Sequence, residues 1–394
     1  MASSTGILKS SLPTPILDRI APLPFKARAQ WWQLLIGAAF GAAGALGVWY
    51  TRQLSGKSPH SHARSNHPIL LVIEVTLLAY LAIVLHETGH FVAGKISGLQ
   101  IRFMRVGPVQ VNIPFRVSFH WKNLVEAGGV ISMLPKTGEI SSRQLLILLA
   151  GGPAANLLSA GVVFSIFKAL GNLPLLVWYF VAISAGLGLV NLIPFPGLLS
   201  TSDGTRMLMI LRQKGSAERL VAIFQLFAAF VQGKDFEDLP DQLIARATAF
   251  KDRSPDTVSA FAIAYYAAFS RHEDDRAAQL LETCLEYSRF TFSSVRDALV
   301  SDAAVFQALR RKRVDLAQQW LADLSKKPKF PGLRPRAEAA ILEAQANIGA
   351  AVSKLEETET ALLQWPNALQ REVSLRGLRK WKAELQAQHA VVNR

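Results

Sequence analysis

Residues 69–85, ILLVIEVTLLAYLAIVL, contain a single charge, Glu74, and run directly into His86-Glu87-Thr88-Gly89-His90. With that continuation the segment exceeds the roughly 20 residues a helix needs to cross the hydrocarbon of a bilayer. Imidazoles and a carboxylate at the end of such a segment are costly unless they have partners, and metal ligation supplies partners. Positions four apart share one face of a helix, so His86 and His90 can offer two nitrogens to one zinc ion. Glu87 then stands where it can take a proton from a water activated by the ion. The plainer reading, two histidines flanking a helix end, leaves the cost of burying them uncompensated.

Three more segments are long and apolar enough to span: 31–50, 144–170 and 174–196, beside 69–93. The first is uncharged and carries Trp31 and Trp32 at one end and Trp49 and Tyr50 at the other, the aromatic belt of a spanning helix. Basic residues concentrate in the tail before residue 31 and in the 94–143 loop, while the 51–67 loop holds only Arg52, Lys57 and Arg64. The positive-inside rule therefore places the tail, the 94–143 loop and everything after residue 197 in the cytosol. On this reading the HExxH end of the second span and the 191–204 segment meet at the cytosolic side. The tail has no signal-peptide pattern; a short organellar targeting segment is its alternative reading.

The expected fold is mainly α: a polytopic membrane helical bundle of about four spans, a small membrane-associated β-hairpin, and a C-terminal soluble α-helical domain. The expected divisions are a tail over 1–30, a transmembrane domain over 31–204 and a cytosolic helical domain over 205–394. The run 220–231 is too short to span and reads as a core helix. Beyond Pro255, helix pairs are expected at 256–270 with 276–288, 294–310 with 313–324, and 336–348 with 350–363. Their spacing resembles a degenerate tetratricopeptide-like repeat, with an ordinary helical bundle as the alternative. In the 94–143 loop, apolar residues alternate with polar ones from Val109 to Trp121, which reads as a strand that Pro114 confines to an edge or a bend.

Composition agrees with a membrane protein. Half of the residues are hydrophobic and the mean hydropathy is +0.23. The net charge of +14 could suit nucleic acid, but no clustered basic-aromatic surface accompanies it, and anionic headgroups are the better match. Cys284 is the only cysteine, which excludes an intramolecular disulfide and a cysteine-built metal site. His60, His62 and His67 form a second histidine-rich stretch, read as a solvated loop because no carboxylate lies near it.

A zinc site needs a third protein ligand. Between Glu139 and Glu218 the one carboxylate is Asp203, just past the fourth span and after Pro194 and Pro196, which must break that helix. The competing role for Asp203 is a cap on the helix that follows, and the competing ligands are Glu126, Glu139 and His120. Gly151, Gly152, Ala154 and Ala155 read as a small-residue stripe for close helix packing.

Taken together, His86–His90, the run Gly151-Gly152-Pro153-Ala154-Ala155-Asn156, and Asn191 with Pro194, Pro196, Asp203 and Gly204 resemble the motifs of the site-2 protease family of intramembrane zinc metalloproteases, over about residues 69–210. The resemblance departs in one place: the family's commonest form puts the aspartate directly after the prolines, and here Gly197–Ser202 intervenes. It implies one Zn2+ held by His86, His90 and Asp203, Glu87 as the catalytic base, and Asn156 and Asn191 as substrate-binding residues. It also implies a β-hairpin in the 94–143 loop, against which an unwound substrate could pair. The expected activity is endoproteolysis of transmembrane segments near the cytosolic face, in the bacterial inner membrane or an organellar one. The expected partners are a transmembrane protein substrate, the lipid bilayer and a protein partner of the C-terminal domain, with no nucleic acid. The alternative is a membrane-tethered helical-repeat adaptor with a vestigial zinc site.

Overall fold

Apolar runs of this length satisfy their backbone hydrogen bonds internally by coiling into helices, and the computed structural model shows where they do so. It describes residues 15–19, 68–112, 116–119, 129–135, 140–171, 173–194, 202–212, 214–291, 293–365 and 368–392. The chain divides into two compact units, one of residues 28–229 and the other of residues 230–394 together with 1–27.

The first unit is built on α1 (Pro68–Ile96), α2 (Ser142–Ala169) and α3 (Leu175–Leu192). All three are long and apolar enough to cross a membrane. Their outward faces carry Val72, Leu158 and Leu189 at 65%, 68% and 55% exposure, the reverse of a helix that faces water. The expected span at 31–50 lies outside the described residues. A capping box opens α2: Ser141 Oγ accepts from the Gln144 amide at 3.2 Å, and the Gln144 side chain accepts from the Ser141 amide at 2.8 Å. Helix α3 stops at Leu192, short of the expected 196, because a residue before proline is pushed out of the helical region, and Ile193 is extended.

Between α1 and α2 lies a four-stranded antiparallel sheet, β1 (Leu99–Val106), β2 (Val109–Asn112), β3 (Arg116–Phe119) and β4 (Gly129–Pro135), in the order β3-β2-β1-β4. The alternation from Val109 is carried by two paired strands, β2 and β3, a hairpin in the loop where one was expected, with β3 at the sheet edge; Pro114 and Trp121 lie outside the described residues. The chain reverses between Asn112 and Arg116, which pair across β2 and β3. Leu99, Ile101 and Met133 of the sheet share a core with Leu145, Leu148 and Leu149 of α2. Ile210 from α4 (Asp203–Arg212) and Leu220 and Val221 from α5 (Lys214–Val231) complete that core.

The second unit contains α6 (Asp241–Thr248), α7 (Pro255–Ser270), α8 (Asp274–Tyr287), α9 (Ser293–Leu309), α10 (Val314–Asp323), α11 (Leu333–Ala344), α12 (Ile348–Leu363) and α13 (Ala368–Val392). Helices α7 to α12 form three successive packed pairs at the expected places. Each pair turns through one left-handed residue, His272, Lys312 or Ala346. In the first and third pairs the next amide bonds back six-to-one, Glu273 to the Ala268 carbonyl and Asn347 to the Leu342 carbonyl, both at 2.9 Å.

Helix α9 is buried on every side, so its polar side chains must be satisfied within the protein. Arg296 pairs with Asp323 at 2.7 Å, and Asp297 accepts from Ser325 at 2.8 Å. Asp302, 1% exposed, accepts from Tyr266 at 2.5 Å and from Arg336 at 2.7 Å. Gln307 donates at 2.7 Å to the carbonyl of Leu17, far away in the sequence. Leu17 belongs to a short 3-10 turn, Ile16–Asp18, and is itself 1% exposed against this unit.

Removing one member of a buried, hydrogen-bonded charge pair leaves the other uncompensated, at a cost of about 3–5 kcal/mol. Asp302→Ala should destabilise the helical unit by that amount. The Cys284 thiol is fully buried, and burial pushes its pKa up, so it should resist alkylation until the unit opens. Urea titration read by Cys284 alkylation tests both statements, which predict a silent thiol in the native chain and an earlier transition for Asp302→Ala.

Candidate metal centre

His86 and His90 face the same way from α1, one helical turn apart. Their Nε2 atoms lie 3.2 Å from each other, and Asp203 Oδ2 lies 3.2 Å from His86 Nε2 and 3.5 Å from His90 Nε2. Donor atoms bound tetrahedrally to zinc at about 2.0–2.1 Å are separated by about 3.3 Å along each edge. The three atoms thus form one face of a tetrahedron of the right size, and the group could hold a metal ion.

A neighbour sets the state of His90, whereas His86 Nδ1 has no hydrogen-bond partner among the described residues. His90 Nδ1 lies 2.7 Å from the Leu148 carbonyl, which can only accept, so Nδ1 carries the proton and Nε2 keeps its lone pair for a metal. The Gly152 amide is farther from the same nitrogen, at 3.3 Å. Burial pushes the Asp203 carboxyl up, but in the absence of an ion hydrogen bonds and positive charge from protonated His86 and His90 rings outweigh that cost and lower it to about 2. Asp203 is therefore ionised at neutral pH.

Asp203 is the first residue of α4, yet it does not cap it. Ser202 Oγ accepts from the Thr205 amide at 3.1 Å, which is the capping bond. The same hydroxyl donates to the Ile193 carbonyl at 2.8 Å. The chain leaving α3 and the chain entering α4 therefore meet at this bond, so the residues inserted between them do not carry Asp203 away from the histidines. Gly204 allows the approach: a Cβ there would lie 2.0 Å from the Leu192 carbonyl oxygen.

Glycines also set the distance between α1 and α2. A Cβ on Gly89 would come within 2.2 Å of the Gly151 carbonyl oxygen, and one on Gly151 within 2.5 Å of the Gly89 carbonyl oxygen. Gly152 does something the small-residue stripe did not foretell. A Cβ there would lie 2.4 Å from His90 Nε2 and 2.6 Å from His86 Nε2, in the space a shared ion would need. Gly129, at the start of β4, packs on Glu87 as closely, since its Cβ would lie 2.1 Å from Glu87 Cγ. Glu87 itself is buried.

Asn156 is four residues beyond Gly152 on α2, hence on the same face, and is 0% exposed. Neither of its amide atoms has a hydrogen-bond partner among the described residues. Asn191 is less isolated: its Nδ2 donates to the Leu187 carbonyl at 3.2 Å on its own helix. The rival ligands Glu126, Glu139 and His120, the histidines His60, His62 and His67, and Pro196 lie outside the described residues.

Residues 75–173 match the model of peptidase family M50, the site-2 protease family. That match indicates a metallopeptidase and, with the three apolar helices, an intramembrane metalloprotease in general terms. It takes in His86, Glu87, His90, Gly152 and Asn156 and ends before Asn191 and Asp203, so the third vertex rests on geometry alone. No curated protein and no solved structure matches the chain.

Gly152→Ala should lower metal affinity by about 10–100-fold, the usual effect of disturbing a group that abuts the ligands. Gly161→Ala, on the same helix with nothing within 4 Å of the new methyl, should leave it unchanged. Metal content of the two purified variants after dialysis against a weak chelator reads the difference.

Proposed function

We propose that the chain is a zinc endopeptidase that cuts transmembrane segments of other membrane proteins near the cytosolic face. The observation that carries this reading is the convergence of His86, His90 and Asp203 at the end of an apolar helix, with Glu87 buried beside them. His86, His90 and Asp203 would hold the ion. When bound, the ion would supply Lewis acidity, making a nearby water easier to deprotonate and a carbonyl easier to attack. Glu87 takes the proton of the attacking water and returns it to the departing amide nitrogen. Asn156 suits a substrate backbone, since a buried amide without partners costs about 1–3 kcal/mol until something pairs with it. Asn191 is proposed as a second substrate contact from the α3 end.

A helical substrate hides its carbonyls in its own hydrogen bonds and must be drawn out before a water can attack. Strand β4 offers the means. It pairs with β1 on one side only among the described strands, and it begins at Gly129 against Glu87. An extended substrate strand added along β4 would pass the proposed base.

The docking of Leu17 on the helical unit supports a fourth crossing. A tail and a domain that touch lie on the same side of a membrane, so the chain between them must cross an even number of times. Three described helices are candidate spans, and 31–50 supplies the fourth. The basic tail and loop then favour a cytosolic helical unit and a bacterial inner or organellar membrane.

Glu87→Gln should retain zinc and lose about 10²–10⁴-fold in cleavage, the range expected on losing a general base. Asp203→Ser should lose zinc and cleavage together, because serine is a poor zinc ligand even where it caps a helix well. Comparing membrane-protein fragments from cells carrying the wild type and Glu87→Gln identifies substrates. Zinc retention with near-normal cleavage in Asp203→Ser would reject the ligand assignment.

A further inference from the structure

The contact between Ile16–Asp18 and the helical unit is made chiefly through backbone atoms. Glu282 of α8 accepts from two successive amides, that of Ile16 and, at 2.9 Å, that of Leu17. The Leu17 carbonyl accepts from Gln307 Nε2 at 2.7 Å and from Trp320 Nε1 at 3.1 Å. Both donors are buried, at 0% and 4% exposure, and both are aimed at one point. Of the three side chains, Leu17 is enclosed by the unit, Asp18 is paired with Arg311 at 2.5 Å, and Ile16 is half-buried. The flanking Pro15 and Arg19 are exposed.

We propose that the helical unit carries a peptide-binding site formed by Glu282, Gln307, Trp320 and Arg311, whose ligand is a short protein segment with an aliphatic residue, a leucine and an acidic residue in succession, and that Ile16-Leu17-Asp18 is its resident occupant. A carboxylate that clamps two amides and two buried donors that share one carbonyl recognise any chain in this conformation. Specificity rests on the leucine pocket and on the arginine. An external segment with the same three features fits the same groups, and the tethered tail competes with it through its high effective concentration. The site is thus a receptor held shut by the protein's own terminus, and a partner bearing such a segment would gain access by displacing the tail. Nothing in this site involves the metal centre, so the two stand or fall separately.

The test uses the full chain in nanodiscs and a fluorescent peptide of residues 13–20. Leu17→Asp, which places a charge in the leucine pocket, should free the site, so this chain should bind the peptide at least tenfold more tightly than wild type does. Peptide carrying the same Leu17→Asp change should not bind, and adding Glu282→Gln to the chain should weaken binding by at least tenfold. Equal binding to wild type and Leu17→Asp chains, or binding to neither, would overturn the proposal. Should Leu17→Asp open the unit, as judged by alkylation of Cys284, hydrogen exchange on the wild-type chain decides. The Ile16 and Leu17 amides should exchange at least 100-fold more slowly than free amides, and unprotected amides would overturn the proposal.

Discussion

The crossing of α1 and α2 at Gly89 and Gly151 is the constraint on which the first unit depends. Each glycine leaves room that a single methyl group would fill with a clash against the other helix's backbone. The crossing brings Gly152 opposite the two imidazoles and Leu148 within reach of His90, which fixes the ring and its tautomer. His86, His90 and Asp203 are tolerated among apolar helices because they converge on one another and His90 also reaches the Leu148 carbonyl, at distances set by the close approach of the helix backbones.

The same economy governs the second unit. Helix α9 has no exposed face on which to place its polar groups, so Arg296 and Asp302 are answered from neighbouring helices, Asp297 from Ser325 in the loop after α10, and Gln307 from the chain's own tail. A helix so placed ties its neighbours together, because moving any of them leaves a buried donor or acceptor unpaired.

Much of this is legible in the sequence. His86, Glu87 and His90 announce themselves because helical spacing fixes their common face before any tertiary structure is known. Asp203 could be read only with rivals, since the sequence does not show whether an aspartate at a helix start caps or turns away; the bond from Thr205 to Ser202 answers that. Gly152 was hidden inside a run of small residues whose packing role is real at Gly151, one position earlier. The alternation from Val109 marked strand but not where one strand ends and the next begins, because period two persists through a hairpin as readily as along a strand. The docking of Leu17 had no local signal at all, since its partners Glu282, Gln307 and Trp320 are distant in sequence and carry no periodic pattern.

The central claim is that one zinc ion sits on two imidazoles and one carboxylate. X-ray absorption at the zinc edge of the full-length protein tests it directly. The account predicts two nitrogen and two oxygen neighbours at about 2.0–2.2 Å, the second oxygen being solvent, with the outer-shell scattering of two imidazole rings. Scattering from three imidazoles or from sulfur, or a purified protein that holds no zinc, would contradict it.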